Sequence, residues 1–146
     1  MVLAADRITK LLAERNLQDG AVELIPGVLD LRYTTNPGGA FGLFGGLPWL
    51  FAAISAAVIV AIVIASRKLP ATSSAVGLGL VLGGAVGNMV DRAIRGPAFS
   101  GEVVDFIDLQ VWPIFNLADS AIMIGAATLL IAGTRRDRRS SDPAPG

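Results

Sequence analysis

The sequence predicts a mainly α-helical polytopic membrane protein with four transmembrane helices, the first of them shortened, and a small extracytoplasmic β-sheet. The first observation is composition: 53% of the 146 residues are hydrophobic, 16% are charged, and the mean hydropathy is +0.62. The second is patterning, since three runs with one charge or none are each long enough to cross a hydrocarbon core of about 30 Å.

The first predicted helix lies at the amino end, in MVLAADRITKLLAERNL, where apolar residues recur at helical spacing. Only five residues precede Asp6, so about half of a spanning helix of roughly 20 residues is missing. This pattern indicates a truncation or a misassigned start at Met1. A short amphipathic helix lying in the membrane interface is the alternative interpretation.

The other three predicted helices are the long apolar runs. Residues 47–66 carry no charge and stop at Arg67-Lys68. Residues 69–90 are rich in Gly, Ala and Ser, which suits close helix packing within a membrane, and they stop at Asp91-Arg92. The last run covers about 113–134, carries one charge at Asp119 and ends before RRDRR.

Residues 20–44 do not resemble a membrane span. The stretch VLDLRYT alternates apolar and polar side chains, a strand pattern, and NPGGAFG has the composition of a turn or loop. We therefore expect a small sheet on the outer membrane surface.

Lysine and arginine counts predict the orientation. Residues 67–68 and 135–139 hold six basic residues, whereas the connections 14–46 and 91–112 hold four. The first pair should be cytoplasmic and the second outside, with both termini inside. We expect one membrane-embedded domain over 1–134 and a basic, disordered cytoplasmic tail over 135–146.

Composition also excludes several kinds of site. There is no cysteine and no histidine, which excludes disulfides, thiolate metal sites, cysteine nucleophiles and histidine-based triads. The formal net charge is zero without a basic stripe, so nucleic-acid binding has no support. Catalysis would rest on carboxylates, Lys, Ser, Thr or Tyr, and we expect neither a metal nor a cofactor.

Ionisable residues within or at the ends of membrane helices are rare and indicate function by default. Several here share helix faces at spacings of three or four, and the predicted orientation places them in one outer layer. They are Asp6 with Lys10, Asn88 with Asp91 and Arg92, and Asn116 with Asp119, together with Asp105 and Asp108 in the loop joining the third and fourth helices.

Structural interpretations compete with functional ones at most of these positions. Asp6 and Lys10 could form a purely structural ion pair, and Asp91 with Arg92 could simply end a helix. Asp105 and Asp108 could be ordinary loop acids. Asp119 differs, because it lies in an apolar helix and must find a tertiary partner or stay protonated.

Two neighbouring carboxylates share a proton, because both cannot ionise cheaply. One can then activate water while the protonated one polarises a peptide carbonyl, as in aspartic proteases. A membrane transporter that uses Asp91, Arg92 and Asp119 as a proton or ion relay is the alternative. A relay needs polar groups through the membrane depth, and here they lie in one layer. An inactive scaffold is a third possibility.

Five short motifs occur in an order that resembles the lipoprotein signal peptidase family, the type II signal peptidases of bacteria. They are DRITK (6–10), NPGGAFG (36–42), GNMVDR (87–92), VVDF (103–106) and FNLAD (115–119). The resemblance extends from residue 6 to about 133. It implies a four-helix membrane aspartic endopeptidase that removes the signal peptide of a diacylglyceryl-modified prolipoprotein by cutting before the lipidated cysteine.

The resemblance also implies roles for individual residues. Asp105 and Asp119 would be the catalytic pair, and Asp108 matches no catalytic position. Substrate binding would fall to Asn36, Asn88, Arg92 and Asn116, with support from Asp6, Lys10 and Asp91. One departure is Gly39, where the family more often has Ala.

The resemblance further implies the surroundings of the enzyme. The protein would be a multi-pass component of the bacterial cytoplasmic membrane, with its active site near the extracytoplasmic face. Its partners would be the lipid-modified prolipoprotein and membrane lipids. We expect a monomer that binds no nucleic acid.

Overall fold

The computed structural model describes residues 1–38, 48–66 and 73–140. For residues 48, 73 and 135–140 it describes the backbone alone. Four helices dominate and a three-stranded sheet accompanies them, which confirms the predicted fold class. The helices are α1 (Val2–Asn16), α2 (Pro48–Ser66), α3 (Ser73–Arg95) and α4 (Leu117–Ser140), the strands are β1 (Val22–Ile25), β2 (Leu29–Asn36) and β3 (Val103–Asp108), and a short 3₁₀ turn covers Pro97–Phe99.

Among the described residues, α2, α3 and α4 are long and apolar enough to cross a membrane. Helix α1 has 15 residues, fewer than the roughly 20 that a perpendicular span needs. The predicted stops at Arg67-Lys68 and most of the NPGGAFG motif, including Gly39, lie outside the described residues.

Helices α3 and α4 approach each other closely at glycines. A Cβ atom at Gly84 would lie 2.4 Å from the carbonyl oxygen of Ala118, and one at Gly125 would lie 2.7 Å from that of Gly77. Small residues let membrane helices pack backbone to backbone, as the composition of α3 predicts. The contact brings the last turns of α3 beside the first turn of α4.

The sheet has the order β1-β2-β3, and both pairs are antiparallel. The hairpin β1–β2 agrees with the strand predicted in VLDLRYT. Residues 103–108 were predicted as loop, and that prediction is wrong because they form β3, which places Thr34 opposite Asp105.

Strand β3 is buried along nearly all its length, so it lacks the alternation that identifies a half-exposed strand. Phe106 packs with Ala13 of α1 and with Leu17, the residue that follows α1.

Helix α4 begins at Leu117, four residues later than predicted. Phe115 is bonded to β3 instead, since its N–H donates to the carbonyl of Ile107 and its own carbonyl accepts from the N–H of Ile107. At the other end the α4 backbone is helical as far as Ser140, beyond the predicted boundary at 134. Residues 141–146 lie outside the described part of the chain.

Candidate active site

The polar residues predicted to share one layer do come together. They meet where the end of α3, the start of α4, β3 and one face of α1 converge. A continuous set of hydrogen bonds and ion pairs joins all of them except Asp108, and it includes Asn36 as well: Asp6, Lys10, Asn36, Asn88, Asp91, Arg92, Asp105, Asn116 and Asp119.

The motif FNLAD forms the amino-terminal cap of α4. Asn116 Oδ1 accepts the N–H of Asp119 at 2.9 Å, and Asp119 Oδ2 accepts the N–H of Asn116 at 3.3 Å. This reciprocal pair has the geometry of a capping box, with Asp at the position usually taken by Glu or Gln. The cap explains why the helix starts here and holds the Asp119 carboxylate against the helix end.

Asn116 also holds Asp105. Its side-chain Nδ2 donates to Asp105 Oδ1 at 2.6 Å and lies 3.2 Å from the carbonyl oxygen of Val104. The side chain of Asn116 is fully buried. One rigid residue therefore donates to both carboxylates, through its side-chain amide to Asp105 and its backbone N–H to Asp119.

Asp105 lies on β3 and is 2% exposed. Asn36, at the end of β2, donates from Nδ2 to its second oxygen at 3.0 Å. The pKa of Asp105 is raised from its ordinary 3.8 to about 6, chiefly by burial and also by the nearby Asp119 carboxylate, against the lowering effect of the amides of Asn36 and Asn116. Asp105 therefore holds a proton more tightly than an ordinary aspartate does.

Asp119 is partly exposed and lies in the first turn of α4. Asn88 of α3 donates from Nδ2 to its Oδ1 at 2.8 Å. The carboxylate thus lies beside the free N–H groups of the helix start. Asp105 is buried on β3, whereas Asp119 is partly exposed at the start of α4.

Arg92 lies one turn after Asn88 on α3 and is 6% exposed. Its Nη1 donates to the backbone carbonyl of Asn88 at 3.3 Å, and its guanidinium carbon lies 6.0 Å from the centre of the Phe51 ring. Within the described residues, Nε has no hydrogen-bond partner. The charges of Asp119 and Asp105 both act on this side chain. Arg92 thus has a buried donor at the edge of the carboxylate pair.

A cluster of buried charges lies behind the carboxylates. Lys10 Nζ is 2.9 Å from both Asp6 Oδ2 and Asp91 Oδ2, and Arg7 Nη1 donates to Asp91 Oδ1 at 2.6 Å. The pairing of Asp6 with Lys10 is as the spacing predicted. The contacts of Lys10 with α3 come in addition to that predicted pair. Asp91 Oδ2 also accepts the N–H of Val104 at 3.3 Å.

Two further contacts between α1 and α3 were not predicted from the sequence. One is the ion pair of Arg7 with Asp91, although Arg7 lies within the DRITK motif. The other is a bidentate pair in which Arg95 donates to Glu14 at 3.0 and 2.8 Å. Charged residues on α1 at positions 7, 10 and 14 share one face at spacings of three and four, and that periodicity could have indicated a common partner helix.

Asp108 lies at the far end of β3 from Val103 and is 7% exposed. Its Oδ1 accepts the N–H of Gln110 at 2.9 Å, and its Oδ2 lies 3.6 Å from Arg32 Nε. Its strand partner is Asp30. These contacts hold the turn that follows β3.

The geometry has the elements that peptide hydrolysis by two carboxylates requires. One carboxyl has a raised pKa, the other is held at a helix start, and amide donors orient both. A buried guanidinium donor lies alongside.

Sequence comparisons with known proteins identify relatives in one protein family. The sequence model of a family described as signal peptidase (SPase) II matches residues 1–135. A lipoprotein signal peptidase of Rhodococcus jostii is 45% identical over 133 residues, covering 90% of this chain and 67% of that protein. One of Desulfitobacterium hafniense is 41% identical over 143 residues, covering 95% of this chain and 91% of that protein.

Solved structures agree with these sequence relatives. A bacterial membrane enzyme determined by the in meso method superposes with a TM-score of 0.86 at 30% identity, over 99% of this chain and 90% of that one. A second bacterial membrane enzyme gives a TM-score of 0.78 at 33% identity, over 90% and 86% of the two chains.

Proposed function

The chain belongs to the signal peptidase II family, and on that premise we propose that it removes signal peptides from diacylglyceryl-modified prolipoproteins by cutting before the lipidated cysteine. Membership makes it a bacterial membrane protease. The alternative of a transporter or ion relay gains no support from any of the relatives described above.

The proposed catalytic pair is Asp105 and Asp119. The observation that carries this assignment is the bridging residue Asn116, which donates to one carboxylate from its side chain and to the other from its backbone. A shared donor holds the two groups in a fixed relation, as a proton-sharing pair needs.

In the proposed reaction Asp119 is the base and Asp105 carries the shared proton. Asp119 takes a proton from a water molecule whose oxygen attacks the carbonyl carbon of the scissile peptide. Asp105 donates a hydrogen bond to the carbonyl oxygen and so stabilises the developing negative charge. The tetrahedral intermediate collapses when Asp119 passes the proton taken from the water to the peptide nitrogen and the C–N bond breaks. The raised pKa of Asp105 supports this division of roles.

Four residues around the pair are proposed to bind substrate: Asn36, Asn88, Arg92 and Asn116. Each amide already orients a carboxylate, and Arg92 Nε is a buried donor without a partner in the described part of the chain. A substrate carbonyl would satisfy that donor. Asp6, Lys10 and Asp91 are proposed to support these residues from behind.

We further propose that the active site faces the extracytoplasmic side, that a single domain covers 1–134, and that the enzyme acts as a monomer in contact with membrane lipids. The orientation rests on the uneven distribution of Lys and Arg between the connections. The site lies at adjoining ends of two spanning helices, next to the sheet. A lipid-anchored peptide would reach such a position directly.

The test is a gel-shift assay of signal-peptide removal from a diacylglyceryl-modified prolipoprotein. Wild type is compared with Asp105→Asn and Asp119→Asn in membranes in which all three are present in equal amounts. We expect each variant to lose activity by about 1000-fold or more, because the proton transfers then have no carrier. Retained cleavage by either variant would refute the assignment of the pair.

Substrate class is tested with the same precursor carrying Cys→Ser at the modified position, which cannot be lipidated. We expect wild type to cleave the lipidated precursor and to leave the unlipidated one intact. Equal cleavage of both would contradict the proposed substrate.

A further inference from the structure

Lys10 is fully buried, and its ammonium group has three acceptors at hydrogen-bond distance. Nζ lies 2.9 Å from Asp6 Oδ2, 2.9 Å from Asp91 Oδ2 and 2.9 Å from Asn88 Oδ1. The contact with Asn88 is a hydrogen bond, and the contacts with Asp6 and Asp91 are ion pairs. Two carboxylates balance its charge, which makes its burial tolerable.

One of these acceptors contacts a carboxylate of the proposed pair, and the other two contact the backbone beside the pair. Asn88 donates from Nδ2 to Asp119 Oδ1 at 2.8 Å. Asp91 Oδ2 accepts the N–H of Val104, the residue before Asp105, at 3.3 Å.

The third acceptor reaches the start of α4. Asp6 Oδ1 accepts the N–H of Ala118, the residue before Asp119, at 2.9 Å. Each of the three groups that contact Lys10 therefore also contacts one of the two aspartates or the residue before it.

The orientation of the Asn88 amide depends on this cation. Because Lys10 can only donate, Asn88 must turn its oxygen towards Nζ, and its NH₂ group then faces Asp119. The flipped amide would set NH₂ against the ammonium and its oxygen against the carboxylate. Both contacts would be repulsive, so Lys10, together with Asn116 Nδ2, which donates to the same oxygen at 3.3 Å, selects the amide orientation that donates to Asp119.

We propose that Lys10 is a positioning residue for the catalytic pair, acting on Asp119 through the amide of Asn88 and on the backbone beside both aspartates through Asp91 and Asp6. The proposal rests on the function proposed above for Asp105 and Asp119. It differs from a purely structural ion pair, because it requires the effect of Lys10 on turnover to pass largely through Asn88.

A double-mutant cycle tests this route. The variants are Lys10→Met, Asn88→Ala and the double variant, assayed in detergent with the lipidated precursor for kcat and KM separately. We expect Lys10→Met to lower kcat by about 100-fold while KM changes by less than about threefold. Residues that act through one another give non-additive effects, so the double variant should be at least about tenfold faster than the product of the single effects predicts.

Three results of the cycle would overturn the proposal. Lys10→Met could keep the kcat of wild type, the two single effects on kcat could simply multiply in the double variant, or the change could be confined to KM. If Lys10→Met does not accumulate in membranes, the cycle is run with Lys10→Gln, which keeps a polar side chain in the cluster. A wild type that fails to cleave the lipidated precursor would instead refute the proposed function, so the two failures are distinguishable.

Arg7→Met is the matched control. Arg7 pairs with the other oxygen of Asp91, at 2.6 Å, and its side chain is 25% exposed. Its loss weakens the same cluster while the bond from Lys10 to Asn88 stays in place. We expect kcat within about twofold of wild type, with a lower unfolding temperature. An equal fall of kcat in Arg7→Met and Lys10→Met would show that general loosening of the cluster explains both, and would overturn the proposal.

Discussion

Asn116 and Asp119 exchange hydrogen bonds across the first turn of α4, each accepting the backbone N–H of the other. The same two side chains belong to the candidate active site. Formation of the helix and orientation of the carboxylate are therefore a single structural event, and a substitution at Asn116 should affect both.

Asn116→Ala removes the side chain that caps α4 and donates to Asp105. We expect a loss of about 1–2 kcal/mol in the free energy of unfolding, typical of a lost N-cap, and a fall in kcat of about 100-fold or more. Thermal unfolding in detergent and steady-state cleavage assays measure the two effects.

Thr128→Ala is the control for Asn116→Ala on the same helix. Thr128 Oγ1 donates only locally, to the carbonyl of Ile124 at 2.7 Å, far along α4 from the cap. Activity and stability should stay close to wild type. If Asn116→Ala behaved like this control, the cap would have no part in orienting the carboxylates.

Stability should depend on pH through Asp105. Its pKa is raised from 3.8 to about 6 in the folded protein, so the folded state binds this proton more tightly than the unfolded chain does. The resulting stabilisation is fully present below about pH 4 and is lost as pH rises through about 6. A shift of about two pKa units corresponds to about 3 kcal/mol.

We therefore expect wild type to lose more stability than Asp105→Asn when pH rises from 4 to 8. Unfolding of both proteins in detergent at the two pH values measures this difference. Asp108→Asn, on the same strand, controls for general effects of replacing an acid. An identical pH response of wild type and Asp105→Asn would contradict the raised pKa.

Asp108→Asn should retain most of its cleavage activity, within about twofold of wild type. Asparagine keeps the oxygen that accepts the N–H of Gln110, and the contact with Arg32, at 3.6 Å and half exposed, has little energetic weight. The cleavage assay with the lipidated precursor measures this. Complete loss of activity would mean that the catalytic pair has been assigned to the wrong acids.

Gly87→Ala should disturb the charged cluster from α3. An added Cβ would lie 2.7 Å from Asp6 Oδ2, and that carboxylate cannot retreat easily because Lys10 and the N–H of Ala118 hold it. We expect a lower unfolding temperature and a reduced kcat. The matched control is Gly79→Ala on the same helix, where an added Cβ meets no atom within 4 Å. Equal behaviour of the two variants would argue against close packing at Gly87.

Much of the fold is readable from local patterns. Uninterrupted apolar runs identify α2 and α3, and the alternation in VLDLRYT identifies β2. Strand β3 could not be identified in this way, because the sheet and α1 together bury nearly all of it and its sequence lacks alternation. The start of α4 also depends on a tertiary partner, since Phe115 pairs with Ile107 before the helix begins.

Most residues of the candidate site could be predicted from the sequence, but the contacts between them could not. Helical spacing and motif order selected Asn88, Asn116 and Asp119, and these do meet in the structure. Spacing within one helix cannot show which residues of another helix it faces. The pairing of Arg7 with Asp91, and the hydrogen bond that the N–H of Val104 on β3 donates to the Asp91 carboxylate, both depend on how these elements pack together.

The position of Asp119 along α4 sets a depth in the bilayer. It is the third residue of a helix that is long enough to cross the membrane, so it lies about 3 Å along the axis from Leu117. A peptide bond next to a lipid-modified cysteine is held at headgroup level by its own acyl chains. On the proposed function, the helix start and the lipid anchor would each hold their reacting group at a fixed depth below the same membrane surface, and the two depths would agree only for a bond beside the anchor.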